Sequence, residues 1–202
     1  LELLRGASAL LKALLPQLEG VVEIDEAYQK AGLKGRANSR RIQEEGRKPR
    51  RRGLRRRGRG TYQKDEPPVF CLVERGGRRC MVMGRDVQEK TVQGILERWV
   101  RPGSLVYHDD YPSYSGLEEV GYPHEAVCHS LGEYARGEVH VNTCEGEFSF
   151  YRPFMAVHRG VAKYKLWLYL EAFNLHRQIY TAQPEIGLQQ LIKFEKFSTR
   201  SE

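Results

Sequence analysis

Apolar and polar positions alternate in short runs in the first half of the chain, as in a β-sheet. The run VVEID, from Val21 to Asp25, is rich in β-branched residues. The stretch PPVFCLVERGGRRCMVMGRDV contains two more such runs around the turn Arg75-Gly76-Gly77-Arg78, which predicts a β-hairpin. Together these runs predict a meander of three strands.

The second half alternates helical and strand-like patterns. Apolar residues in TVQGILERWV recur at helical spacing, and Pro102-Gly103 ends that helix before the strand LVYHD. PSYSGLEEVGY predicts a short helix or turn, HEAVCH predicts a last short strand, and two helices follow from Asn142 onward. This order predicts an α/β fold in which a mixed five-stranded sheet is covered by helices on both faces.

The length of 202 residues and the hydrophobic content of 40% suffice for one domain with a real core. The opening LELLRGASALLKALL predicts an amphipathic helix, with a linker up to residue 20. We expect the main domain to occupy residues 21–180 and a tail to occupy 181–202. No apolar run reaches the roughly 20 residues of a membrane span, so we expect no membrane partner.

Positive charge is concentrated in one segment after the first strand. Between Lys34 and Lys64 fourteen lysines and arginines stand against two glutamates, a local charge of +12 in a chain of net charge +7. Residues 34–66 therefore predict a basic insertion, either a solvated loop or an arm that grips double-stranded DNA. Arginine density favours the DNA arm, because every neutralised phosphate releases counterions. The candidate DNA contacts there are Arg50, Arg51, Arg52, Arg55, Arg56 and Arg57.

The four cysteines include no CxxC pair, and no secretory leader is recognisable, which favours a reduced, cytoplasmic compartment. The nearby histidines and cysteines also lack the paired spacing of a structural zinc site. We expect no small-molecule cofactor.

Three acids stand at the ends of predicted elements. Asp25 closes the first strand, Asp109 closes the fourth, and Glu145 opens the helix after the fifth. If the first and fourth strands are neighbours, their carboxylates meet at one sheet edge, and the helix can present Glu145 opposite them. Mg²⁺ prefers oxygen ligands, and paired ions support phosphoryl transfer, so the pattern predicts a Mg²⁺ site in which Mn²⁺ can substitute.

Three blocks of the sequence resemble the DDE-type insertion-sequence transposases, in particular their ISXO-like subgroup: VVEIDEAY, GSLVYHDDYPSY and EVHVNTCEGEFSFYR. The resemblance runs from about Val21 to about Gln178, and the 35 residues between Asp109 and Glu145 agree with it. It implies a ribonuclease H-like catalytic domain that cleaves DNA and transfers the strand, self-associates on DNA and is nucleoid-associated in a prokaryotic cell. The alternative is a catalytically inactive DNA-binding remnant.

The resemblance also implies roles for single residues at the fourth strand. The D-x4-Y pattern gives the catalytic carboxylate to Asp109, with Tyr114 as its aromatic residue. Asp110 then caps the following turn through its side chain. Glu26, beside Asp25, is expected to be exposed on the opposite side of the strand end.

The third position of the site has three readings. Glu145 is favoured, Asn142 is the alternative, and a capping box between the two would make both purely structural. Glu147 is a less favoured substitute.

Four cations of the last third are further candidates for contact with the DNA backbone: Arg152, Arg159, Lys163 and Lys165. The family normally carries N-terminal zinc-ribbon or helix-turn-helix modules, and the sequence shows neither pattern.

Overall fold

The computed structural model describes residues 17–33, 44, 46, 60–127 and 137–181. The amphipathic helix predicted near the N-terminus, the six candidate arginines of the insertion and the tail beyond residue 181 lie outside the described residues.

One five-stranded sheet has the strand order β3-β2-β1-β4-β5. Its strands are β1 (Val21–Tyr28), β2 (Pro68–Glu74), β3 (Arg79–Met83), β4 (Leu105–Asp109) and β5 (His124–Val127). The first three form an antiparallel meander, whereas β4 pairs with both β1 and β5 in parallel. This topology confirms the predicted mixed sheet of a ribonuclease H-like domain.

The predicted hairpin joins β2 to β3. The N–H of Glu74 donates to the carbonyl of Arg78 at 2.8 Å, and Gly76 adopts φ +71°, a left-handed conformation that glycine tolerates without strain. The guanidinium of Arg78 also binds the Glu74 carboxylate at 2.7 Å.

Among the described residues, three α-helices cover the two faces of the sheet: α1 (Glu89–Trp99), α2 (Asn142–Val157) and α3 (Leu166–Thr181). Apolar residues of α1 pack on one face, and those of α2 and α3 pack on the other. The stretch PSYSGLEEVGY forms two 3-10 turns, at Pro112–Tyr114 and Glu118–Val120. None of the helices in the described ranges is long and apolar enough to span a membrane.

Strand alternation decides which face each side chain joins. In β1, Ile24 packs in the α1-side core, so its neighbour Asp25 points to the side of α2 and α3. In β4, Val106 packs in the α1-side core, so Asp109, three residues later, also belongs to the α2 side. The two aspartates therefore share one face of the sheet.

Glu147 of α2 forms ion pairs with both β3 and α3. It is buried, and its carboxylate binds Arg79 of β3 at 2.6 Å and Arg177 of α3 at 2.8 Å. Burial alone would raise the pKa of Glu147, but the two guanidiniums outweigh it and the pKa is lowered. Its oxygens are thus held by arginines, which makes Glu147 a structural residue rather than a substitute metal ligand.

We expect Glu147→Gln to lower the free energy of unfolding by about 3 kcal/mol at pH 7, because two arginines lose their buried counter-charge. The measurement is urea unfolding, with exposed Glu119→Gln as the control. Because folding lowers this pKa, the stabilisation exists above the unfolded value near 4.5 and disappears as the pH falls through the folded value. A loss below 0.5 kcal/mol at pH 7 would contradict this role.

Candidate functional site

Asp25 and Asp109 lie on adjacent parallel strands. The β1–β4 register pairs Val21 with Leu105 and Glu23 with Tyr107, and extension of the same offset by two residues would set Asp25 beside Asp109. Asp109 is the last residue of β4, as predicted. Asp25 does not close β1, because pairing with β2 continues the strand to Tyr28, so that prediction was wrong by three residues.

The three acids singled out in the sequence interact electrostatically. The pKa of Asp25 is raised to about 7, with burial as the largest cause and the carboxylates of Glu26, Asp109 and Glu145 as further causes. The N–H of Glu26, which donates to Asp25 Oδ1 at 2.7 Å, acts in the opposite direction. Asp109 and Glu145 are therefore near enough for their charges to act on Asp25.

Glu145 lies in the first turn of α2 and is exposed. The helix begins at Asn142 with Val141 as its N-cap, and the cap makes no side-chain hydrogen bond, which contradicts the capping-box reading of Asn142 and Glu145. Instead, the carboxylate of Glu23 accepts the N–H and the hydroxyl of Thr143, both at 2.9 Å. A distant strand residue satisfies the helix terminus, which leaves Asn142 and Glu145 exposed.

The two carboxylates on neighbouring strands and the third on the helix, whose charges act on Asp25, are oxygen ligands of the kind that Mg²⁺ prefers. Within residues 17–33, 60–127 and 137–181, no three Asp, Glu, His or Cys side chains already form a metal site. The long side chain of Glu145 is exposed and can rotate. Binding of an ion by all three acids would thus draw Glu145 toward the aspartate pair.

The opposite face of the sheet supports the same strand ends through an aromatic network. Glu26 is partly buried, and its carboxylate accepts a hydrogen bond from the hydroxyl of Tyr114 at 2.9 Å. The prediction that Glu26 points to the opposite side from Asp25 was right, and the prediction that it is exposed was wrong. The ring of Tyr114 is fully buried and stacks on His108 at 4.4 Å.

His108 braces the end of β4. Burial lowers its pKa to about 4, which keeps the ring neutral at pH 7. Its Nδ1 lies 2.6 Å from the carbonyl of Asp109, and because a carbonyl only accepts, Nδ1 carries the proton. Its Nε2 then accepts from His124 Nδ1 at 2.8 Å. Both ring nitrogens are thus used for structure.

Asp110 is exposed, and its N–H donates to the carbonyl of Val127 at 2.9 Å. The 3-10 turn after it has Tyr111 as its N-cap, and that cap makes no side-chain hydrogen bond. The N-cap position of this turn is therefore Tyr111, and the capping role of the Asp110 side chain stays a prediction.

Three of the four candidate cations of the last third of the chain are exposed: Arg152, Arg159 and Lys165. Arg152 follows Glu145 by seven residues, about two helical turns, so both lie on the same side of α2. Arg152 thus lies about two turns further along α2 than Glu145, the candidate third ligand.

Lys163 differs from its prediction as a DNA contact. It is only 4% exposed, and its ammonium lies 3.4 Å from Asp65 Oδ1 and 4.7 Å above the ring of Tyr62. The lysine anchors residues 60–66, the described end of the basic insertion, to the body of the domain. This position gives its ammonium little access to a DNA phosphate.

Sequence reasoning did not single out Glu23, although a signal was present. It is an acid inside the apolar run VVEID, two residues before Asp25, and strand alternation puts both on one face. An acid at a buried position requires partners, and Thr143 and Arg75 provide them.

Comparison with known proteins extends these observations. A family model described as the ISXO2-like transposase domain matches residues 17–176. A protein of Halobacterium salinarum, named as an uncharacterized protein in transposable element ISH50, is 41% identical over 180 residues, which are 88% of this chain and 59% of that protein. The chain thus spans about three-fifths of the length of this relative.

Proposed function

The chain belongs to the ISXO2-like transposase domain family, and from this we propose that it catalyses metal-dependent DNA cleavage and strand transfer for an insertion sequence. One observation carries the proposal. The carboxylates of Asp109 and Glu145 act on Asp25. The pKa of Asp25 is raised to about 7 by burial and by these acidic neighbours. Acids that repel one another in this way are suited to share a divalent cation.

In the proposed site, Asp25 and Asp109 hold Mg²⁺, or Mn²⁺ in its place, and Glu145 completes the ligands. Asn142, one turn earlier on the exposed side of α2, is the alternative third ligand. Bound ions would activate the attacking oxygen and stabilise the leaving oxygen. The sheet keeps the two aspartates together, and α2, which packs on the face where they lie, supplies the third ligand.

Two phosphoryl transfers make up the proposed reaction. Water first attacks a phosphodiester bond at the element end, and the broken P–O bond leaves a free 3′-hydroxyl. That hydroxyl then attacks a phosphodiester of the target, so the element strand is joined and one target 3′-oxygen departs. Both ends of an element must be held at once, which supports self-association on DNA, at the nucleoid.

Double-stranded DNA would approach across the exposed side of α2. Arg152 on the Glu145 side of the helix, together with exposed Arg159 and Lys165, would bind its phosphates. The arginines of the insertion, from Arg50 to Arg57, would add further phosphate contacts.

The test is incubation of the 202-residue chain with a labelled duplex that carries an end of its insertion sequence. We expect nicked product in Mg²⁺ or Mn²⁺ and none in EDTA. Absence of product in both metals would contradict the proposal.

A second candidate function is DNA binding without catalysis. It is favoured by the exposure of Glu145 and by the absence, within the described residues, of a ready-formed group of three metal ligands. This candidate predicts equal DNA affinity with and without metal and no cleaved strand.

We also expect the chain to bind duplex DNA with little sequence preference, because the proposed cations contact phosphates, which carry no base information. The measurement is competition at fixed salt between a labelled terminal inverted repeat and a scrambled duplex of equal length. A preference above about a hundredfold, about 2.7 kcal/mol, would mean that this chain reads bases.

A further inference from the structure

A second set of residues lies directly behind the three acids. Glu23, Tyr107 and Thr143 each precede one of Asp25, Asp109 and Glu145 by two residues. In a strand, a residue two positions earlier points to the same face, so Glu23 and Tyr107 lie on the α2 side of the sheet. The β1–β4 register pairs Glu23 with Tyr107 directly.

Glu23 is the centre of this layer. Its side chain is 0% exposed, and its two oxygens accept the N–H of Thr143 at 2.9 Å, the hydroxyl of Thr143 at 2.9 Å and Nε of Arg75 at 3.0 Å. His140 Nδ1 lies 3.4 Å from the same carboxylate. A buried carboxylate with several donors is held in one orientation.

Arg75 connects this layer to β4. Its guanidinium lies 4.7 Å from the ring centroid of Tyr107, and it also reaches the exposed carboxylate of Glu138 at 3.5 Å. Through Glu23 and Arg75, the layer connects β1, β4 and the first turn of α2, which are the three elements that carry the acids.

We infer that Glu23 is a positioning residue, which fixes the first turn of α2 against the sheet and so sets how Glu145 meets Asp25 and Asp109. The inference rests on the proposed function and adds a residue to it. A rigid support of this kind matters because small displacements of a ligand weaken metal binding, and loss of such supporting contacts typically costs 10–100-fold in metal affinity or activity.

The first experiment measures Mn²⁺ affinity of the full chain from the electron paramagnetic resonance signal of free Mn²⁺. Glu23→Gln removes the negative charge beside Arg75 and turns an acceptor into a donor, so we expect the dissociation constant to rise about tenfold. Thr143→Val removes only the hydroxyl that donates to Glu23 and leaves the N–H of residue 143 in place, so we expect a smaller rise, below about tenfold. Glu138→Gln is the matched control, since it alters the exposed partner of the same arginine, and should change nothing.

The second experiment measures amide hydrogen exchange in the first turn of α2 without metal. We expect faster exchange there in Glu23→Gln and in Thr143→Val, with α3 unchanged in both. If Glu23→Gln does not fold, Thr143→Val decides both measurements.

The outcomes separate the two proposals. Unchanged Mn²⁺ affinity in variants of a chain that binds Mn²⁺ would overturn the positioning role and leave the proposed function standing. A wild-type chain that binds no Mn²⁺ would contradict the proposed function, and exchange would then decide whether Glu23 fixes the helix. Unchanged exchange would overturn that role as well.

Discussion

Asp109→Asn is expected to lower Mg²⁺- or Mn²⁺-dependent strand cleavage by at least about a thousandfold, which is about 4 kcal/mol of transition-state stabilisation. The neutral amide has nearly the shape of the carboxylate but binds a divalent cation poorly. The substitution also removes one carboxylate that raises the pKa of Asp25, so the fold should lose no stability. Cleavage rate and melting temperature together test this expectation.

Asp110→Asn is the matched control for Asp109→Asn. It makes the same chemical change one residue later, at an exposed position, and should leave the cleavage rate within about twofold. Cleavage retained in Asp109→Asn, or lost equally in both variants, would remove Asp109 from the mechanism.

Replacement of residues 47–59 by a glycine-serine segment of equal length is expected to weaken DNA binding and its salt dependence. The segment carries nine lysines and arginines. If about four of them contact phosphates, the slope of log K against log salt becomes shallower by about 3.6, and affinity at 0.1 M salt falls by on the order of a thousandfold. Leu54 is the one large apolar residue of this segment, so little apolar burial is lost and the melting temperature should change little.

The measurement is DNA affinity across a salt series, with Arg98→Gln as the control. Arg98 is an exposed cation on α1, on the opposite face of the sheet from Asp25 and Asp109. The Arg98→Gln substitution should therefore leave the slope of log K against log salt unchanged. A slope that stays the same after replacement of residues 47–59 would place that segment outside the DNA interface.

Sequence patterns predicted those features that local chemistry decides. The hairpin between β2 and β3 follows from its two glycines, and α1 follows from apolar spacing ended by Pro102-Gly103. The expected meeting of Asp25 and Asp109 required the first and fourth strands to be neighbours, and the parallel β1–β4 pairing meets that condition. Periodicity and turn residues were sufficient for the hairpin and for α1 because each acts within a few residues.

Features that depend on distant partners could not be predicted in the same way. The spacing of Asn142 and Glu145 suggested a capping box, yet Glu23, 120 residues before Thr143, takes that role. Lys163 was predicted to contact the DNA backbone, but its ammonium donates a hydrogen bond to the carbonyl of Tyr62, 101 residues away, at 3.3 Å. Local spacing carries no information about such tertiary contacts.

The central claim, that Asp25, Asp109 and Glu145 bind a divalent cation together, is tested most directly by crystals of the chain soaked in Mn²⁺. Anomalous scattering locates the ion independently of any assay of activity. We expect a peak between the carboxylates of Asp25 and Asp109 at oxygen-ligand distance, with Glu145 or its alternative Asn142 turned toward it. No peak at saturating Mn²⁺, or a peak coordinated by other residues, would contradict the account.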